Sequence, residues 1–351
     1  MPIDNSHIRA QLGEQRRKVD FDNYDVTVDE LVRRVSEKRI EISPSYQRQF
    51  RWDQNRQSEL IESLLLGIPV PNLFMATNSN GDSGVQWEVV DGLQRTLTLL
   101  AFVGSDEQRN SAKIDKLVLN GLEKLPLLNG LTYSQLPMDV AQSLLDRPVK
   151  VTVLNDKSDK RVRFDLFERL NTGGITLTAQ EIRECVYRGP FMDLLQTLSE
   201  EPDFRKVVKV PKAKEKDGTL QEYVLRFFAF HDNYQQFDHS VRDFLNSYAS
   251  KESDSSDFSG KEKLFTQTFA FLAKCFPQGL KRSRSTTPVN FFEGVAVGAA
   301  LALEKKPNLR PNDEQNWIDD PDFTNAIVGA TNSLPKVRRR IEYARNGFLH
   351  A

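Results

Sequence analysis

The 351-residue sequence has only two cysteines and four histidines. Cys185 and Cys275 are too few for a disulfide framework or a four-cysteine zinc site, so they are expected as buried thiols in a reducing compartment. Four histidines leave little room for a metalloenzyme. No run approaches the roughly 20 apolar residues that span a bilayer. The polar start, MPIDNSHIRAQLGEQRRKVD, lacks an apolar signal core, and the expected location is the cytoplasm, with no membrane partner. Excess charge of one sign is missing too, with 48 Lys+Arg against 49 Asp+Glu. That excludes a wholly basic nucleic-acid binder but not a local basic face. Neither G-x-x-x-x-G-K-[ST] nor G-x-G-x-x-G occurs, which removes the standard P-loop and dinucleotide readings.

The chain does hold enough apolar mass for a core, 39% of its residues, including 22 phenylalanines. Its length suggests roughly two domains of ordinary size, or one domain with a large appendage. Residues 1–20 read as a flexible or loosely docked arm. From 21 to 190 the pattern alternates, and the spacing predicts a helix over Val26–Arg39. Asp53 is placed to cap a second helix that ends at Gly67. Strands are expected over Asn72–Thr77, Gln86–Val90 and Pro148–Leu154, and helices from Leu93 and over Lys157–Leu170. Thr178 and Glu181 have capping-box spacing. Beyond 190 the strand signal fades, and six helices are expected, the last a single helix over Asp322–Ala344. The fold class is α+β: a small mixed-sheet domain followed by a mainly α-helical region over 191–351.

Three constellations can carry chemistry. Tyr46-Gln47-Arg48-Gln49-Phe50-Arg51-Trp52 interleaves arginines with aromatics, which suits phosphate and base contact; the alternative is an aromatic anchor with solvated arginines. Asp91-Gly92-Leu93-Gln94-Arg95 joins a strand to a helix. Gly92 permits a sharp turn, the helix start favours an anion, and Asp91 is a potential Mg²⁺ ligand. The bland alternative is a capping turn with a surface arginine. The third is Phe167–Gly174, with Asn171 in its loop, followed by Glu181-Ile182-Arg183; it could line a pocket from the opposite side, but by itself it reads better as an ordinary helix end with glycine. Basic clusters occur at Arg205–Lys216, at Lys281-Arg282-Ser283-Arg284 and at Lys336–Arg340. Within them Lys212, Lys214, Arg282, Arg284, Arg338 and Arg339 are candidate DNA contacts, although such runs are more often solvated faces. His231-Asp232-Asn233 superficially matches a nuclease motif but has no second histidine site.

Taken in order, Ser43-Pro44-Ser45-Tyr46-Gln47-Arg48, Trp52, Leu60–Pro71 and Val90-Asp91-Gly92-Leu93-Gln94-Arg95 resemble the N-terminal domain family of GmrSD-type restriction endonucleases. Phe167–Asn171, Gly173, Gly174, Leu177 and Glu181-Ile182-Arg183 extend the resemblance to about residue 190. The family is similar in layout to the ParB and sulfiredoxin superfold. The resemblance implies a nucleoside triphosphate held between Tyr46, Gln47 and Arg48 on one wall and Asp91, Gly92, Gln94 and Arg95 on the other, with Mg²⁺ at Asp91. It also implies that Asp91, Gln94 and Arg95 carry any hydrolysis. One position departs: the family turn reads Asp-Gly-Gln-Gln-Arg, and here Leu93 replaces the first glutamine, on the apolar stripe.

The expected function is an NTP-binding, NTP-hydrolysing sensor subunit of a restriction or anti-phage system, acting with a separate nuclease chain. A DNA-binding switch without turnover and a ParB-like nuclease are the alternatives. A homo-oligomer is compatible with all three.

Overall fold

The computed structural model describes residues 5–16, 20–42, 52–78, 86–155, 160–170, 178–215, 217–282, 286–312, 315–329 and 331–350. The chain divides into two units, Met1–Ile175 and Thr176–Ala351. The first contains α1 (Asn5–Arg16), β1 (Phe21–Thr27), α2 (Val28–Ser36), β2 (Ile40–Glu41), α3 (Gln54–Leu65), β3 (Leu73–Asn78) and β4 (Gln86–Asp91). It continues with α4 (Leu93–Val103), α5 (Asp106–Ala112), α6 (Met138–Leu145), β5 (Pro148–Leu154) and α7 (Lys160–Leu170). The segment expected as an arm thus contains a helix.

The five strands form one mixed sheet in the order β1-β5-β3-β4-β2. β1 runs antiparallel to β5 and β3 antiparallel to β4. β3 is parallel to β5, and β2 is parallel to β4. Strand β1 is not legible by alternation, because only Val26 of its seven residues is buried. Pairing with β5, from Phe21 opposite Leu154 to Thr27 opposite Pro148, holds it in place. The helix expected from Val26 accordingly starts two residues later, capped by the Thr27 hydroxyl.

Leu31 of α2, Ile61 and Leu64 of α3, and Leu99 and Phe102 of α4 share one core with Met75 of β3 and Val151 of β5. Asp53 caps α3 by accepting from Arg56 N–H at 2.8 Å. The helix ends at Gly67, whose φ of +75° favours glycine.

The second unit holds α8 (Ala179–Val186), α9 (Pro190–Ser199), α10 (Pro202–Val207), α11 (Thr219–Asn233), α12 (Val241–Glu252), α13 (Ser259–Cys275), α14 (Val289–Lys305), α15 (Pro321–Ile327) and α16 (Leu334–His350). No strand occurs among its described residues. α14 lies at its centre, buried almost throughout from Phe291 to Ala302. Its Gly298 lets α16 come close: a Cβ there would stand 2.7 Å from Ala344 Cβ. The single helix expected over Asp322–Ala344 is two. Gly329 at φ +79° breaks the run, and Pro335 sits in the first turn of α16, where a missing N–H costs nothing.

A buried ionic chain runs through these helices. Arg183 of α8 donates to Glu222 of α11 at 3.0 Å. Arg226 bridges Glu222 and Glu293 of α14, each at 2.7 Å. Arg340 of α16 pairs with Glu293 and donates to Thr331 O at 2.9 Å.

A second cluster is half-buried. His231 bridges Asp232 at 2.8 Å and Glu304 of α14 at 3.0 Å. Tyr248 of α12 and Lys261 of α13 both donate to Asp232 Oδ2, at 2.5 and 2.7 Å. Burial disfavours the imidazolium, but the hydrogen bonds and charges of Asp232 and Glu304 outweigh it and raise the His231 pKa. Burial likewise disfavours the Asp232 carboxylate, yet His231, Lys261 and Tyr248 drive its pKa far below the usual range. A raised histidine pKa stabilises the fold fully below the unfolded value near 6.5 and loses that contribution as pH rises through the folded value. Urea midpoints are therefore expected to fall as pH rises above about 6.5 in the wild type. The His231→Gln variant is expected to show a flatter profile over the same range. An identical profile in the variant would show that another group sets the dependence.

Candidate functional site

The Asp91–Arg95 turn is built by the sheet. Met75 pairs with Val89 and Phe74 with Asp91, so Val90 is an extra residue on β4, in a bulge at the end of the strand. Bulges bend a strand and re-aim the residues beyond it. Gly92 then adopts φ +97°, ψ 14° and passes directly into α4 with no side-chain cap. An added Cβ would collide with Leu73 Cδ2, so the turn needs glycine for space as well as for torsion. Gly92 offers no side-chain acceptor to the first N–H groups of α4, which lie at the positive end of the helix dipole.

Leu93 is partly buried and packs on the core, in keeping with its place on the apolar stripe. Gln94 Oε1 accepts from the Trp52 backbone N–H at 3.1 Å. Trp52 comes just after the segment that carries Tyr46, Gln47 and Arg48, so Gln94 ties the turn to the exit of the first motif. Tyr46, Gln47 and Arg48 themselves lie outside the described residues, as do Asn171 and Arg284.

Arg95 turns back onto its own strand. Its Nη2 donates to Asp91 Oδ2 at 2.7 Å. Its Nη1 donates to Asn72 O at 3.2 Å and also to Pro71 O. The side chain is only 12% exposed, against 40% for Asp91. Burial lowers its pKa, while Asp91 opposes that shift; a guanidinium still stays charged at neutral pH. Arg95 thus staples the Pro69–Asn72 segment to the turn before it does anything else. Of its five donors, three are engaged in these bonds among the described residues. Sequence reasoning does not reach this staple. The one signal for it is the proline-punctuated stretch Pro69-Val70-Pro71, whose carbonyls have no regular strand partner.

The other candidate positions separate clearly. Glu181 completes the capping box at Thr178, accepting its N–H at 2.7 Å. Arg183 is 1% exposed in the ionic chain. Both serve the packing of the helical unit.

Two of the three basic clusters come together. Leu280 N–H donates to Val207 O, and Thr287 N–H to Lys209 O, both at 2.8 Å. This sets the segment of Lys212 and Lys214, both exposed, beside that of Lys281 and Arg282. Arg282 itself is engaged by Thr324 at 3.1 Å. In the third cluster, Arg338 donates to Gln235 O at 2.8 Å and Arg339 pairs with Asp322 at 2.6 Å.

Among the described residues, no group of three or more His, Cys, Asp or Glu side chains could hold a metal ion. A Mg²⁺ that arrives with phosphates needs less, since one or two protein carboxylates suffice. Asp91 fits that role: Arg95 engages its Oδ2, and its Oδ1 takes no hydrogen bond among the described residues.

The fold and turn together define an α+β domain in which a bulged strand, a left-handed glycine and a helix start meet at one corner. Residues 29–188 match the family model described as GmrSD restriction endonuclease, N-terminal domain. Over these residues the chain is similar to the N-terminal domain of GmrSD restriction endonucleases, which points to a restriction or defence component. The matched span runs past Ile175 and takes in α8. No curated protein and no solved structure matches the chain. No helix among the described residues is long and apolar enough to cross a membrane.

Proposed function

We propose that this chain is the nucleotide-responsive subunit of a cytoplasmic restriction or anti-phage system, binding and hydrolysing a nucleoside triphosphate and governing a nuclease on a separate chain. The observation that carries this reading is the corner at Asp91–Arg95. Phosphate oxygens are placed at the start of α4, where the helix dipole favours an anion, and beside the Arg95 guanidinium. Asp91 would hold a Mg²⁺ entering with the phosphates, and such an ion would supply charge neutralisation during phosphoryl transfer. Gln94 accepts from the backbone of Trp52, which follows Tyr46, Gln47 and Arg48 in the chain, and those three residues are the ones proposed as the other wall.

A second reading, a DNA-responsive switch, is favoured by the juxtaposition of the Lys212–Lys214 and Lys281 segments, a grouping suited to a phosphate backbone. One experiment addresses both. Binding and phosphate release are measured for ATP, GTP, CTP and UTP with Mg²⁺, with and without duplex DNA. Nucleotide binding by the wild type is expected, with release stimulated by DNA if the second reading adds to the first. Arg95→Lys keeps the charge but loses the fork, so affinity is expected to fall about 10- to 100-fold, the worth of one charge-assisted hydrogen bond. Equal affinity in this variant places the nucleotide elsewhere, and no binding of any nucleotide by the wild type rejects the reading.

A further inference from the structure

Leu127 and Met138 are the most exposed large hydrophobic side chains among the described residues, at 91% and 88%. They lie in the first unit, far in sequence from the Asp91 turn. Leu127 borders a cavity of about 600 Å³. Leu65 and Leu66 at the end of α3, Leu125 and Leu128 of a short 3₁₀ turn, and Val140 of α6 line its apolar walls. Met138 opens α6, next to Asp139, which also lines the cavity. Leu66 and Ile68 extend the exposed apolar surface. Apolar surface grouped around a concave site in this way marks a candidate protein-interaction face.

Two features identify the partner. The patch carries both a protruding side chain, Leu127, and a hole that can receive one. Its rim also carries both signs of charge, Lys124 and Asp139. Neither side chain forms an ion pair among the described residues. A two-fold interface has this self-complementary character, because residue i meets residue j and residue j meets residue i.

We infer that this face is a homodimer interface, in which Leu127 of each copy enters the cavity of the other and Lys124 of each faces Asp139 of the other. The pairing occurs twice, so reversing one charge turns both attractions into repulsions.

The test uses the full chain in sedimentation velocity over a concentration series. The wild type is expected to dimerise. Lys124→Glu and Asp139→Lys are each expected to raise the dimer dissociation constant roughly tenfold through the two symmetric contacts. An equimolar mixture of these two variants is expected to recover wild-type association. In the mixed dimer the introduced carboxylate faces the introduced ammonium, and the native Lys124 of one copy faces the native Asp139 of the other. Leu127→Ser is expected to abolish association; at so exposed a position it leaves the fold intact, as circular dichroism will report. Three outcomes overturn the inference: a wild type that stays monomeric up to its solubility limit, single variants that dimerise like the wild type, or a mixture no better than its components. The first would leave the patch to a foreign protein, and the second would place the dimer contact on another surface.

Discussion

Gly92→Ala is expected to lose about 2–5 kcal/mol of stability in the first unit and to abolish nucleotide binding. A left-handed conformation costs an alanine roughly 1–2 kcal/mol, and overpacking adds about 1–3 kcal/mol. The overpacking has a definite source, since the new methyl group would occupy the space of Leu73 Cδ2 at the start of β3. Leu73 is fully buried and pairs with Val151 in the middle of the sheet, so it has little room to retreat. Chemical denaturation of the variant measures the first effect and calorimetric titration with nucleotide the second. A variant with wild-type stability would show that the turn tolerates another backbone path, and the account of this corner would fail with it.

Glu293→Gln is expected to cost about 3–5 kcal/mol, because it leaves buried arginine charge without its partner. Glu293 is 1% exposed and receives both Arg226 and Arg340. The buried chain already carries three arginines, Arg183, Arg226 and Arg340, against two glutamates, Glu222 and Glu293. Removing one glutamate leaves a single carboxylate for all three. Arg340 has few other resources: Thr331 O accepts from its Nη1, and its Nε has no hydrogen-bond partner among the described residues. The double variant Glu293→Gln/Arg340→Met, which removes a charge of each sign, is expected to recover much of the loss. Urea unfolding of both variants checks this. If the single variant shifts the midpoint no more than a surface substitution does, the network adds little to stability.

The turn motif can be read from the chain because its requirements are local. Asp91-Gly92 ends a strand pattern, and Leu93, Leu97 and Leu100 begin a helical one. The cap at Asp53 and the box at Thr178 and Glu181 are legible for the same reason, since each depends on residues three apart. β1 is not, because an edge strand with one buried side chain shows no alternation. The division between α15 and α16 has a local mark in Gly329 and Pro335, but the apolar spacing carries across it and conceals the break.

Arg95 shows where sequence reasoning reaches its limit. The sequence places an arginine one turn into a helix that begins at a candidate anion site. Whether its guanidinium faces a ligand or the protein depends on what lies across the corner. Here the carbonyls of Pro71 and Asn72 lie there, brought by the β3–β4 pairing, and they take two of its contacts. Arg183 presents the same lesson: it belongs to a motif that resembles the family's, yet two of its partners, Glu222 and Asn246, come from α11 and α12.

The sequence by itself determined the α+β class, the helical second half and the GmrSD character of the first, because hydrophobic period, capping chemistry and ordered short motifs are properties of neighbouring residues. It also limited metal chemistry through its four histidines and two cysteines. Only the tertiary structure decided which arginines staple the fold and which basic segments share a surface, and it alone brought Lys124 and Asp139 to one rim. These depend on distances between residues far apart in the chain, and those distances are set by strand register and helix packing.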